Sequence, residues 1–315
     1  MFRGIVFALS ACFIWGLIYV VPQLFMSGFS SMEVVLGRYF MYGLISSIIF
    51  CKAKMKNSCR YPKEIWIKAL YLSLIITIVF YTFVVLGLRY SSPAVCTLIL
   101  GIGPITIAFY GNWKQKEISF RSLIIPSALI ILGLVIINIH YLEKTSSFYL
   151  YFFGIFYSFL ALILWSWYVV VNSTFLKKHP EISSKDWSTI NGLTTLFWTL
   201  VYTIFLILFF PDQFNVNKYF ILNQEFVYFI FGSSILGFLC SWMGAFLWNR
   251  ASLDLPVSLA GQLSIFETIF GIIFVYIAQR HLPLMSECIG VAILLTAIIY
   301  GIRQFTKKLD NQLVE

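Results

Sequence analysis

Ten apolar runs follow one another along this 315-residue chain, at 4–25, 31–51, 65–88, 92–110, 119–139, 150–176, 186–210, 225–248, 256–278 and 284–302. Each is long enough to cross a hydrocarbon core as an α-helix, which takes roughly 17 to 25 residues. The longest gaps, Lys52 to Glu64 and Pro211 to Gln224, are too short to hold a soluble domain. Only 11% of the residues are charged and 60% are apolar, against about 25% charged in a soluble globular protein. The runs are continuous rather than alternating, a poor fit to the strands of an outer-membrane barrel. The expected fold is an all-α polytopic membrane bundle of ten transmembrane helices. The first run is too long for a signal-peptide core and lacks a small-residue cleavage site, so it reads as a retained helix.

The net charge of +9 does not point to nucleic acid, because its placement follows the spans. With the N-terminus inside, sixteen Lys and Arg residues fall in cytoplasmic segments. Only Arg89, Lys144, Lys218 and Arg280 fall outside. The positive-inside rule then predicts both termini in the cytoplasm of a cell whose inner membrane holds the protein. The six cysteines form no disulfide framework: Cys12, Cys96 and Cys240 are inside spans, Cys288 starts the last span, and Cys51 and Cys59 lie at a cytoplasmic loop.

The chain repeats itself. WGLIYVVP (Trp15 to Pro22) in the first span corresponds to WSWYVVVN (Trp165 to Asn172) in the sixth. SSPAVCTLILGIGP (Ser91 to Pro104) corresponds to DLPVSLAGQLSIFE (Asp254 to Glu267), with Pro93 and Pro256 each followed at the same spacing by Pro104 and Glu267. Five spans per half force the second half to enter the membrane upside down. The expected units are therefore an inverted pair, residues 4–139 and 150–303, on the plan of many secondary transporters.

These features resemble the EamA branch of the drug/metabolite transporter superfamily over nearly the whole chain. The resemblance is carried by Trp15-Gly16, Gly37-Arg38-Tyr39, Pro104, Trp165 through Tyr168, CSWMGAFLWNRAS (Cys240 to Ser252) and FETIFG (Phe266 to Gly271). The last two blocks look most like a YtfF-like bacterial inner-membrane subgroup. The resemblance implies ten helices, a central cavity on the pseudo-twofold axis, and export of amino acids or related metabolites. One departure is plain: the acidic residue that follows span 4, Glu117, has as its counterpart the segment AQRHLP (Ala278 to Pro283).

A charge near the bilayer midplane costs roughly 2.5–3.5 kcal/mol on insertion scales and is usually paired or faces a cavity. Glu267, ten residues into span 9, and Arg38, about seven into span 2, are the two such charges. Glu267 is either a proton-coupling or substrate-ammonium site or a structural carboxylate. Arg38 either bridges to it, if spans 2 and 9 are neighbours, or reaches for the interface. Trp15, Tyr19, Trp165, Tyr168 and Trp242 sit within spans, where their N–H and O–H groups need partners. A twofold axis would bring Trp15 and Trp165 to one cavity, offering flat walls and cation–π contacts to an ammonium group; ordinary packing is the alternative. Thr97, Asn172 and Gln262 are polar groups expected along the same path. Pro22, Gly101, Gly103 and Pro104 mark hinges, since proline frees helical carbonyls and GIGP carries little bulk.

No phosphate-binding loop, HExxH or paired-cysteine metal site is present, and His140, His179 and His281 fall in loops. The expectation is therefore neither an enzyme nor a cofactor-binding protein. It is a secondary carrier that works in the lipid bilayer on a small-molecule substrate, with Glu267 as the candidate for proton coupling. An importer of a larger, nucleoside-type metabolite on the same fold is the alternative, which a strongly basic cavity would favour. A polytopic lipid-modifying enzyme would want a His/Asp/Ser cluster at the interface, which the sequence lacks.

Overall fold

A computed structural model of the chain describes residues 1–52, 61–91, 93–138, 148–210, 219, 223–280 and 282–314. Among these, ten helices are long and apolar enough to cross a membrane: Phe2–Phe25, Ser31–Lys52, Lys63–Tyr90, Val95–Gln115, Phe120–Asn138, Tyr149–Lys178, Ser184–Phe209, Gln224–Asp254, Val257–Gln279 and Met285–Thr306. They are spans 1 to 10 below. The expected boundaries agree to within four residues, except that spans 4 and 8 run on five and six residues further, and an even number of spans puts both termini at one end of the bundle, called here the termini end. His140, His281, Cys59, Lys54, Lys56, Arg60, Lys144 and Lys218 lie outside the described residues.

Neighbours follow the repeat. Spans 5 and 10, 4 and 9, and 2 and 7 pack against each other, while span 3 packs on span 6 as span 8 packs on span 1. Exchanging the halves (1 with 6, 2 with 7, and so on) maps this set of contacts onto itself, as an inverted pair of five-helix repeats requires. In lipid, helix association comes from close packing and interhelical hydrogen bonds rather than from a hydrophobic drive. The buried core is accordingly dotted with alanine, serine and threonine, among them Ala8, Ala11, Ser46, Ser188, Thr189 and Ala251.

Several helix starts satisfy their first-turn amides with side chains, as a dry environment demands. Ser30 and Glu33 form a reciprocal capping box at span 2, the carboxylate accepting from Ser30 N at 2.7 Å and the hydroxyl from Glu33 N at 3.3 Å. Ser183 caps span 7 and Asn223 caps span 8. Glu287 accepts from Leu284 N at 2.7 Å at span 10, and the same carboxylate accepts from Tyr276 OH.

Interruptions also recur in pairs. Span 4 divides into 4a (Pro93–Gly101) and 4b (Gly103–Gln115), and span 9 into 9a (Val257–Leu263) and 9b (Phe266–Gln279). Spans 3 and 8 each carry a π-helical stretch, Leu74–Val79 and Leu236–Met243. The residues closing 4b and 9b, Lys116 and Arg280, are both left-handed, with φ of 51° and 54°. Span 1 breaks as well, passing through a 3-10 turn at Leu17–Tyr19 before a short helix, Val21–Phe25. Pro22 and Pro104 both stand in the first turn after a break, where the missing N–H goes unnoticed.

Where the broken spans meet, they meet at the termini end. A Cβ on Gly111 of 4b would come within 2.8 Å of Val257 Cγ1, and one on Gly261 of 9a within 2.6 Å of Ile107 Cγ2. Only hydrogen allows that approach. The other halves diverge: 4a packs on spans 5 and 6, and 9b packs on span 1.

Candidate functional site

The divergence of 4a and 9b leaves a cavity of about 470 Å³ in the middle of the bundle. That is within the ~300–1,000 Å³ of small-molecule sites. Every span except 5 and 10 contributes to its wall. It reaches toward the far end past Tyr19, which is 38% exposed, and past Thr97, also exposed.

Trp15 and Trp165, equivalent in the two repeats, both line the cavity, edge to face with centroids 6.3 Å apart. Trp15 also tilts against Trp248 at 5.3 Å. Trp165 lies beside Phe80 at 5.8 Å and stacks on Tyr168 at 6.2 Å. The Trp15 indole packs closely on the backbone of span 8. A Cβ on Gly244 would sit 2.4 Å from its Nε1, so glycine is what admits the ring.

A π-turn leaves a carbonyl out of the regular ladder, and such turns gather at functional sites. In span 8 the Cys240 carbonyl accepts from Trp15 Nε1 at 2.8 Å and from Arg38 Nη2 at 3.3 Å. Arg38 is further held by Ser241 Oγ at 2.8 Å from Nε and by Tyr81 OH at 2.8 Å from Nη1. Its guanidinium lies 5.3 Å from the Tyr39 ring centroid and 5.8 Å from that of Tyr81. A buried cation, 7% exposed, is thus braced on all three nitrogens and by two aromatic faces.

Glu267 stands in the first turn of 9b, directly after the break, on the cavity wall. The N-terminal end of a half-helix carries positive partial charge, which suits a carboxylate. Its side chain makes no hydrogen bond to and no ion pair with a described residue. Arg38 faces the same cavity, but the two are not in contact. The bridge considered from sequence does not form; Arg38 instead gives three of its five N–H groups to Ser241, Tyr81 and the Cys240 carbonyl.

The structure places Trp15, Tyr19, Arg38, Thr97, Gly101, Pro104, Trp165, Tyr168 and Glu267 on the cavity wall. Asn172, Trp242 and Gln262 lie elsewhere. Asn172, 1% exposed, donates to Asn249 Oδ1 at 2.9 Å and accepts from Trp187 Nε1 at 2.7 Å, so it ties spans 6, 7 and 8 together and leaves Asn249 to line the cavity. Trp242 donates to Thr189 Oγ1 at 3.1 Å and stacks between Phe238 and Phe246. Gln262, 3% exposed, is turned toward Gly301 of the last helix. All three are packed between helices rather than on the cavity wall. Of the hinge residues, Gly103 sits behind Trp165 and Pro22 past the span 1 break.

Tyr39, Tyr42, Ser73, Thr77, Tyr81 and Ser241 also line the cavity and were not among the expected site residues. A signal existed in Ser73 and Thr77, one turn apart inside span 3, where Thr77 Oγ1 donates to the Ser73 carbonyl at 2.6 Å. The break in span 9 was not expected either, since the hinge residues, Pro22 and Gly101, Gly103 and Pro104, lie in spans 1 and 4.

Known proteins resemble this chain throughout. The model of the EamA-like transporter family matches residues 2–139. The inner membrane protein YtfF of Escherichia coli (strain K12) is 26% identical over 98% of this chain and 97% of its own length. A crystal structure 14% identical to this chain superposes with a TM-score of 0.74 over 95% of this chain and 96% of that one, which shows a shared fold. The chain, with its ten membrane-spanning helices, is thus similar to the EamA-like transporter family over residues 2–139 and to an inner membrane protein along its full length.

Proposed function

We propose that this protein is a secondary carrier that exports small amphipathic metabolites, amino acids or compounds like them, across the inner membrane. The observation that carries the reading is the pairing of charges in an aromatic cavity: a braced arginine and a carboxylate bonded to no described residue face the same ~470 Å³. A zwitterion answers both. Its carboxylate meets the remaining N–H groups of Arg38, and its ammonium meets Glu267 with Trp15 and Trp165 as cation–π walls. A single arginine gives little support to the import of a phosphorylated or otherwise strongly anionic substrate.

Transport is by alternating access. The two repeats, residues 4–139 and 150–303, rock about the shared site, and both termini lie in the cytoplasm. Glu267 exchanges a proton for the substrate ammonium, which couples export to the proton gradient.

Proteoliposomes loaded with a panel of amino acids, peptides and nucleosides test the reading by efflux and counterflow. Trp15→Ala and Trp165→Ala are expected to weaken substrate binding about tenfold each while leaving a folded protein, since cation–π and stacking contacts in dry sites contribute on the order of 1–2 kcal/mol. Normal transport in both variants, or no flux of any zwitterion in the wild type, would overturn it.

A further inference from the structure

The two ends of the cavity are not closed alike. At the termini end, the left-handed Lys116 turns the chain so that the next residue, Glu117, reaches back across the interface between the repeats. Its two carboxylate oxygens accept from Val257 N at 2.6 Å and Ser258 N at 2.7 Å, the opening amides of 9a. Those amides have no partner within their own helix, and hydrogen bonds to a charged acceptor are about twice as strong as neutral ones. Lys177 of span 6 donates to the Leu255 carbonyl at 2.9 Å just ahead, which fixes the approach to 9a from the other side. The second charged contact between the repeats here, Arg3 to Asp254 at 3.4 Å, has an arginine 59% exposed and contributes little.

The far end has the same backbone turn, at Arg280, but a different residue after it. KE at 116–117 becomes RH at 280–281, and RHLP (280–283) contains no carboxylate that could take the place of Glu117 opposite the start of 4a. Among the described residues, the anionic cap is seen at the termini end. That end is the one where 4b and 9a touch, and the cavity extends toward the other.

We infer that Glu117 is a latch: its two bonds to the start of 9a hold the termini end shut, so that the resting protein is open at the far end. Opening the termini end requires span 4b to leave span 9a, and both bonds must break as it does. The inference rests on the alternating-access reading for its purpose, but the latch itself is a property of the resting conformation.

The test measures conformation, in the full chain in liposomes. Spin labels on Trp113→Cys and Lys185→Cys report the termini end, and labels on Leu24→Cys and Val227→Cys report the far end; all four side chains are exposed. Exposed native cysteines are replaced by serine. Pulsed dipolar spectroscopy of the unmodified latch is expected to give one dominant distance at each end. Glu117→Gln, which keeps a single accepting oxygen, should shift the ratio of the two conformations about tenfold toward the termini-open one, and Glu117→Ala further, since hydrogen bonds to charged groups are each worth roughly one decade or more. Arg3→Ala should leave the distances as they are. Unchanged distances in both folded Glu117 variants would overturn the latch. Loss of folded protein in both would do so too, by making the contact part of the fold. A shift in distances without flux of any substrate would uphold the latch and refute the transporter reading instead.

Discussion

Glu267→Gln separates two roles for the embedded carboxylate, and the structure sets the sign of the outcome. The side chain makes no hydrogen bond or ion pair with a described residue. Removing its charge therefore removes a cost, which for an ionised residue at mid-membrane is about 2.5–3.5 kcal/mol on insertion scales. The glutamine has the same size, so stability should hold or rise. Were Glu267 the partner of Arg38, breaking a buried pair would instead cost ~3–5 kcal/mol. At about 2–4 °C of Tm per kcal/mol for a chain of a few hundred residues, that is a fall of roughly 6 °C or more. Arg38→Gln has the opposite expectation. It loses three bonds to a charged donor, ~1.5–3 kcal/mol each, and regains only the ~2.5–3.5 kcal/mol of burying the charge. The net is a loss of a few kcal/mol. Thermal unfolding of both single variants and the double variant, in one detergent at one scan rate, closes the cycle. The two effects should add to within ~0.5 kcal/mol, as for residues without a shared contact. In proteoliposomes, Glu267→Gln should transport at a rate that no longer responds to pH. A marked drop in Tm for Glu267→Gln that Arg38→Gln restores, with pH-dependent transport retained, would refute the reasoning and make the carboxylate a strut.

Two further outcomes are expected. Gly244→Ala places a Cβ 2.4 Å from the Trp15 indole nitrogen, so the ring must leave and its bond to the Cys240 carbonyl with it. A stability loss of ~1–3 kcal/mol from overpacking should appear in thermal unfolding together with weaker substrate binding, and a variant that binds normally would show that Trp15 does not shape the site. Reporter fusions at both termini and at the turns around Lys116 and Lys178 should all report the cytoplasm, and one found outside would break the charge rule and the proposed orientation with it.

The helices were legible because the rule behind them is local. A run of about twenty apolar residues must satisfy its own backbone hydrogen bonds in lipid, and only a helix does so. Lysine and arginine counts between runs are equally local, and WGLIYVVP beside WSWYVVVN exposed the repeat without any knowledge of packing. That two mid-span tryptophans, an arginine and a glutamate would need accounting for followed from the cost of polar groups in hydrocarbon.

Rotation and contact were not local. In a span that is apolar all round, no amphipathic stripe says which side faces the cavity, so Asn172, Trp242 and Gln262 were as plausible as Asn249, Tyr39 and Ser241. The π-turns of spans 3 and 8 left no mark in composition. One of them offers the Cys240 carbonyl that both Trp15 and Arg38 require. The break in span 9 falls at Ser264 and Ile265, where there is no proline to announce it. The distance from Arg38 to its partners depended on which helices lie side by side, and spans 2 and 8 became neighbours only through the pseudo-twofold assembly. The residue types in the chain determined a membrane bundle with two charges to accommodate; tertiary packing decided that they share a cavity without touching, because it turned three of the arginine's five N–H groups to partners more than forty residues away in sequence.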